Sequence, residues 1–227
     1  MAKIVIIGAG FAGHTAALSL GDKLGKKHAV TMIHGSDSFV YAPAGSKAGM
    51  ATFKLAPVYK RVRAYFIEGV VTAVHVDEGE QYVAITKESG DLVRVEYDYL
   101  VVAQHFSDMP AAAFPIKYLS KGRVDVTEKI VDKSGFVLVD GTEDSTSRYQ
   151  NINYRNIFAI ESALRDTGSD TDITGYIVAH NIIDLVENTS AGSSGKMHPV
   201  NTWTKRMPRG IFLWKLRALP GWKIIPE

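Results

Sequence analysis

Residues 3–20 read KIVIIGAGFAGHTAALSL, and this stretch decides the fold. Residues 3–7 form an apolar, largely β-branched run that ends at a glycine, which is typical of a strand buried on both faces of a parallel sheet. A glycine-rich turn follows, and a helical pattern of alanine and leucine extends over residues 14–24. Residues 29–33 (AVTMI) form a second apolar run. Strand, glycine turn, helix and strand within about thirty residues predict a βαβ unit of the dinucleotide-binding type.

Three glycines give the turn its G-x-G-x-x-G spacing. Gly8 makes the tight turn, Gly10 lets a pyrophosphate approach the backbone, and Gly13 allows the helix to pack closely on the sheet. The N-terminus of the helix then faces the anion. The acidic residue that usually holds the adenosine ribose is expected at position 34, but His34 occupies it and lacks the carboxylate. If a nucleotide binds, the sequence predicts that it meets these four residues.

Further strand patterns extend the α/β prediction. Residues 70–97 read as an antiparallel meander, followed by a buried strand at 99–103, and shorter strands are predicted at 135–139 and 156–160. An apolar stripe predicts a helix over residues 173–186. The predicted fold class is α/β: a Rossmann-like βαβ dinucleotide-binding domain with a parallel central sheet and a small antiparallel insertion.

The chain divides into three predicted parts. Residues 1–187 form the Rossmann-like domain of the FAD/NAD(P)-binding type. Residues 188–196 (NTSAGSSGK) are rich in glycine and serine and predict a linker. Residues 197–227 form a C-terminal arm of different, basic and aromatic character.

Composition excludes several classes of function. A net charge of +2 over 227 residues does not favour a nucleic-acid partner. The chain has no cysteine, which excludes thiolate nucleophiles, Cys-ligated zinc and iron–sulfur clusters. The sequence shows neither a secretory signal nor an apolar run of about 18 residues, so a cytoplasmic location is expected.

The C-terminal arm predicts contact with a membrane. All three tryptophans of the protein lie in it, interleaved with basic residues. Such a pattern suits an in-plane segment at the cytoplasmic face of a membrane, with the basic groups near anionic headgroups and the aromatic groups at the acyl boundary. A subunit of a membrane complex, or packing of the arm on its own domain, are the alternatives. The contact residues predicted for this arm are Trp203, Arg209, Trp214, Lys215, Arg217, Trp222 and Lys223.

Several segments resemble the sulfide:quinone oxidoreductases, in the same order as in that family. The resemblance covers most of the chain and is carried by KIVIIGAGFAGHTAALSL (3–20), KLAPVYKR (54–61), EYDYLVVA (96–103), VTEKIVDKSGFVLVD (126–140), YRNIFAI (154–160), GYIVAHNIID (175–184) and FLWKLRALPGWKIIPE (212–227). The resemblance implies a membrane-associated flavoprotein with two dinucleotide-binding domains. This chain is shorter, which implies that the second nucleotide-binding domain is missing near residues 101–115.

Three departures from that family bear on activity. The family oxidises sulfide through redox cysteines, and this chain has none. The family's Ala-Thr-Gly strand end at the flavin corresponds here to Ala103, Gln104 and His105. Glu161 stands where the family has a glycine beside the flavin diphosphate, and it adds bulk and a negative charge. These departures favour a lost or weakened flavin site.

Histidines do not assemble into a recognisable catalytic group. His14, His34, His105 and His180 have no nucleophile, metal-binding cluster or carboxylate partner at an interpretable spacing, so a structural role is expected for each. The sequence predicts no catalytic residue and no metal ligand.

Three functions are consistent with the sequence. The first is a non-enzymatic accessory subunit of a membrane-associated electron-transfer complex without a cofactor, with a photosynthetic reaction centre of the green-sulfur type as the specific expectation. The alternative is a minimal FAD-binding oxidoreductase that passes electrons to a quinone. The third is a regulatory module that binds an adenine nucleotide without chemistry.

Overall fold

The computed structural model describes residues 1–41, 51–77, 79–104, 130–131, 136–139, 149–160, 163–164 and 171–190. Three helices are described: α1 (Phe11–Leu24), α2 (Leu55–Arg61) and α3 (Thr171–Ser190). The described strands are β1 (Lys3–Ile7), β2 (Ala29–His34), β3 (Ser38–Tyr41), β4 (Ala51–Lys54), β5 (Tyr65–Glu68), β6 (Val70–His75), β7 (Tyr82–Thr86), β8 (Leu92–Glu96), β9 (Tyr99–Val102) and β10 (Ile157–Ala159).

A parallel sheet of five strands forms the centre, in the order β10-β9-β1-β2-β5. The chain builds outwards from β1 to β2 and β5, then crosses to the other side of β1 for β9 and β10. In β1 the side chains of Ile4, Val5, Ile6 and Ile7 are all buried. The central position of β1 explains its unbroken apolar run, because a strand with neighbours on both sides and covered faces has no solvent-facing positions. The predicted α/β fold class is confirmed.

Two antiparallel sheets accompany the central one. Strands β6, β7 and β8 form the predicted meander, and Gly90 adopts a positive φ of 86° in the turn between β7 and β8. The second is the hairpin of β3 and β4. The sequence patterns did not predict this hairpin or helix α2.

Helices α1 and α3 pack on each other through small residues. A Cβ atom on Gly175 of α3 would lie 2.1 Å from the carbonyl oxygen of Ala12 in α1, so the two backbones approach as closely as a glycine permits. Ile177, Val178 and Ile182 of α3 are buried in the same core. The apolar stripe predicted for this helix therefore faces the domain.

Some boundaries differ from the sequence prediction. Helix α1 begins at Phe11, three residues before the predicted start, because the last part of the glycine turn already has helical geometry. Helix α3 continues to Ser190, so its last turn includes the first three residues of the predicted linker. Among residues 135–139, Val137 and Val139 form only isolated bridges, to Val131 and Asn151.

Candidate functional site

The glycine turn lies at the carboxyl end of β1. Gly8 has a φ of +97°, and its N–H donates to the carbonyl oxygen of Ile33 at 3.0 Å, which ties the turn to the end of β2. A Cβ atom on Gly13 would lie 2.1 Å from the carbonyl oxygen of Gly8. Both positions therefore require glycine, for backbone conformation at Gly8 and for close approach at Gly13.

Helix α1 begins after Gly10, a residue that has no side chain with which to cap the helix. Gly10 is the N-cap residue in an extended conformation, it makes no side-chain capping hydrogen bond, and the first turn contains no acidic residue. The partial positive charge of a helix N-terminus favours an anion. A carboxylate in the first turn would compete for that position, so its absence suits a bound phosphate group. These residues fit the diphosphate of a dinucleotide.

The position of the turn in the sheet is the one expected for a ligand crevice. Strand order reverses between β1 and β9, and ligands of open α/β sheets bind at the carboxyl ends of the strands at that point. Ala103 and Gln104, which follow β9, border the turn: a Cβ atom on Gly8 would lie 2.9 Å from the Cβ atom of Gln104. Gln104, predicted as a departure from the flavoprotein pattern, therefore stands directly beside the turn.

His34 lies at the same edge, at the end of β2. Its Nδ1 atom accepts a hydrogen bond from the N–H of Ala9 in the glycine turn at 3.4 Å. Burial lowers the pKa of His34, and the charge of Glu68 opposes that shift. The structure thus brings Gly8, Gly10, Gly13 and His34 together, as the sequence predicted.

Glu68 is the neighbour that the sequence patterns missed. It ends β5 and is the register partner of His34 on the adjacent strand. The apolar run before it (YFI, residues 65–67), followed by Gly69, was the available signal for a parallel strand. The sequence analysis predicts no parallel strand at this run, so the carboxylate of Glu68 is not assigned to the site there.

His14 has the structural role that the sequence predicted. Its Nδ1 atom hydrogen-bonds the hydroxyl of Tyr59 in α2, and Phe39 of the hairpin packs edge-on against the ring with centroids 4.6 Å apart. Burial, helped by the charge of His34, lowers the pKa of His14 from 6.5 to about 3. A neutral, enclosed imidazole of this kind packs α1 against α2 and the hairpin.

The other sequence-predicted residues are His180 and a set that the structure does not describe. His180 of α3 contacts the ring of Tyr176. His105 and Glu161, together with the arm residues Trp203, Arg209, Trp214, Lys215, Arg217, Trp222 and Lys223, lie outside the described residues. Within the described ranges, no group of three or more His, Asp or Glu side chains is arranged to hold a metal ion. Nor does any described helix have the length and apolar character needed to cross a membrane.

A protein-family model matches residues 2–139 of the chain. The family is described as pyridine nucleotide-disulphide oxidoreductase. The match includes the glycine turn, His34, Glu68 and the whole antiparallel meander, and it spans more than half of the 227 residues.

Solved structures match the chain to different extents. The sulfide:quinone oxidoreductase of Aquifex aeolicus matches with a TM-score of 0.59 and 14% identity, over 83% of this chain and 78% of that one. A pyridine nucleotide-disulfide family oxidoreductase from Enterococcus faecalis V583 matches with a TM-score of 0.37 and 26% identity, over 45% of this chain and 22% of that one. NDH2 from Plasmodium falciparum, in complex with NADH, has the same TM-score and coverages at 22% identity.

Proposed function

Because the chain belongs to the pyridine nucleotide-disulphide oxidoreductase family, we propose that it binds FAD through the glycine turn and works as a minimal quinone-linked flavoprotein. The observation that carries the proposal is the glycine turn at the switch point of the sheet, where Gly8 and Gly13 both require glycine and the turn leads into the N-terminus of α1. The diphosphate of FAD is the anion proposed for that position.

The composition of the chain indicates which roles fall to the cofactor and which to the protein. Bound FAD supplies the redox chemistry, and the chain, which has no cysteine, supplies no thiol step. Its own residues bind and orient the cofactor: the turn holds the diphosphate, and the ends of β2 and β5 meet the adenosine. A quinone is proposed as the electron acceptor on the resemblance to sulfide:quinone oxidoreductases.

An isosteric pair of variants at Gly10 tests the proposal. Gly10→Asp places a favourable N-cap residue on α1 but opposes a diphosphate with a negative charge, whereas Gly10→Asn has the same size without the charge. We expect FAD titration, followed by flavin fluorescence, to show at least about tenfold weaker binding for Asp than for Asn. Equal affinities, or no FAD binding by the unaltered protein, would contradict the proposal.

A second candidate is the non-enzymatic accessory subunit of a membrane-associated electron-transfer complex. The observation that favours it is Gln104, whose side chain begins next to Gly8 in the crevice, where the resemblance implies a smaller residue near the flavin. Nothing in the family match points to a photosynthetic complex, so this candidate names a membrane-associated electron-transfer complex and no particular one.

The flavin content of the protein distinguishes the two candidates. The first requires the absorbance of oxidised flavin near one equivalent per chain after incubation with FAD and gel filtration. In the second, flavin is absent and other chains co-purify with the protein from native membranes. Replacing Gln104 with threonine should increase FAD affinity if this side chain obstructs the crevice.

A further inference from the structure

Two side chains of opposite hydrogen-bonding character stand side by side at the adenosine end of the crevice. His34 and Glu68 end the neighbouring parallel strands β2 and β5 and are partners in register, so their side chains leave the same face of the sheet. The charge of Glu68 acts on the imidazole by raising its pKa against the effect of burial. The two groups therefore lie close enough to meet one ligand.

The hydrogen bond to the glycine turn fixes the role of His34. Because Nδ1 accepts the N–H of Ala9, the neutral ring carries its proton on Nε2. The residue that replaces the usual carboxylate of this fold therefore offers a donor rather than two acceptors. A sugar hydroxyl can both accept and donate a hydrogen bond, and a donor such as Nε2 meets only its accepting capacity.

The Glu68 carboxylate is oriented even though the residue is exposed. Its Oε1 atom accepts the N–H of Asp37 at 2.9 Å. Asp37 is itself fixed, because its Oδ1 atom accepts the N–H groups of Leu55 and Ala56 at the start of α2, at 3.1 and 2.8 Å. An exposed glutamate normally samples many rotamers, so this chain of hydrogen bonds holds a carboxylate ready for a ligand.

We infer that His34 and Glu68 together bind the 2′,3′-diol of the adenosine ribose, and that they select dinucleotides with a free diol over those with a 2′-phosphate. The inference rests on the proposed nucleotide site. One hydroxyl accepts from Nε2 of His34 and the other donates to Glu68. A 2′-phosphate has no proton to donate at neutral pH and is repelled by Glu68. Among the described residues, Lys54 is a neighbouring cation, and it lies 3.7 Å from the Asp37 carboxylate, which offsets its charge.

Binding of ADP-ribose and 2′-phospho-ADP-ribose to the full chain, measured by calorimetry, tests the inference. We expect the unaltered protein to prefer ADP-ribose by at least about tenfold. Glu68→Gln keeps an oxygen for the Asp37 N–H but loses the charge and the ionic acceptor. This variant should bind ADP-ribose about tenfold more weakly and lose most of the preference. Glu68→Lys should favour the 2′-phosphate instead.

A matched control and the separate outcomes complete the test. Glu80→Gln removes an exposed carboxylate from the meander, where it pairs with Arg94 at 3.6 Å, and should change neither affinity. Equal binding of the two ligands, or a Glu68→Gln variant that behaves like the parent, overturns the ribose assignment. If the Gly10 pair still separates FAD affinities, the proposed function survives that result. Failure of both ligands to bind overturns the assignment and the nucleotide site together.

Discussion

At the scale of single residues, Gly13 has a tighter steric constraint than Gly8. Replacing it with alanine would place a Cβ atom 2.1 Å from the carbonyl oxygen of Gly8, so the turn or the helix must shift. We expect Gly13→Ala to lower the free energy of unfolding by about 3 kcal/mol, measured by urea denaturation. Gly35→Ala is the control, because nothing lies within 4 Å of its added Cβ atom, and it should change stability by less than about 0.5 kcal/mol.

His14 gives the protein a stability that depends on pH. The folded imidazole stays neutral down to a pKa of about 3, whereas in the unfolded chain it binds a proton below about 6.5. The unfolded state therefore binds more protons than the folded state. The contribution of His14 to the stability of the fold is fully present above pH 6.5 and is lost as the pH falls. Between pH 6.5 and 5 the loss from His14 should be about 2 kcal/mol.

The variant His14→Gln isolates this contribution. An amide can still accept the hydroxyl hydrogen of Tyr59 but does not titrate. When the pH falls from 6.5 to 5, the parent should therefore lose about 2 kcal/mol more stability than the variant. His28 and His34, whose pKa values burial also lowers, act equally in both proteins. Identical pH profiles for parent and variant would show that His14 is protonated in the folded state.

At the scale of elements, one buried side chain joins three segments near β10. The Nδ2 atom of Asn151 donates to the carbonyl oxygens of Ile130 and Leu138 at 3.0 and 2.9 Å. Its Oδ1 atom accepts the N–H groups of Asn153 and Tyr154, both at 2.9 Å. All four hydrogen-bonding positions of the amide are used, so this residue substitutes for the regular strand pairing that the segment lacks.

Asn151→Ala should destabilise the fold far more than the small size of the removed side chain suggests. It removes four hydrogen bonds of a buried amide, two to N–H groups and two to carbonyl oxygens that each also accept a backbone N–H, and we expect a loss of about 3 kcal/mol in the free energy of unfolding. Hydrogen exchange at residues 149–154 should accelerate with it. Ile152→Ala, at a neighbouring position that is 48% exposed, should change stability by less than about 0.5 kcal/mol. Comparable effects of the two substitutions would refute the role assigned to Asn151.

At the scale of the whole molecule, truncation tests the membrane contact predicted for residues 197–227. Truncation after Ser190 removes the arm beyond the end of α3 and should leave the circular dichroism of the domain largely unchanged. Flotation with anionic vesicles should then be lost. Each basic residue near such a surface contributes about 1 kcal/mol, and each buried large apolar side chain about 1.5–3 kcal/mol.

Two pairs of substitutions divide that contact into its components. Charge reversal at Lys215 and Arg217 should weaken flotation in a salt-dependent way. Replacement of Trp214 and Trp222 with alanine should weaken it with little dependence on salt. Binding to native membranes but not to pure lipid vesicles indicates a protein partner. Undiminished vesicle binding by the truncated chain would place the contact on the domain instead.

The sequence by itself determined the central part of the fold and the glycine turn. The element bounds in residues 3–34 are predicted to within three residues, because a buried parallel strand, a glycine turn and a helix are specified by local patterns. The need for glycine at Gly8 and Gly13 is also predicted, because both lie in one short turn with a recognisable spacing. The antiparallel meander was likewise predicted from alternation over a few residues.

Only the tertiary structure decided which distant groups meet. Strand β5 joins the parallel sheet beside β2, and this pairing brings Glu68 to His34 across thirty-four residues of sequence. Tyr59 reaches His14 for a similar reason, through the packing of α2 on α1. Asn151 connects segments that carry no strong strand pattern. Such contacts depend on strand order and helix packing, which follow from burying the whole set of apolar faces together, and no short stretch of sequence encodes them.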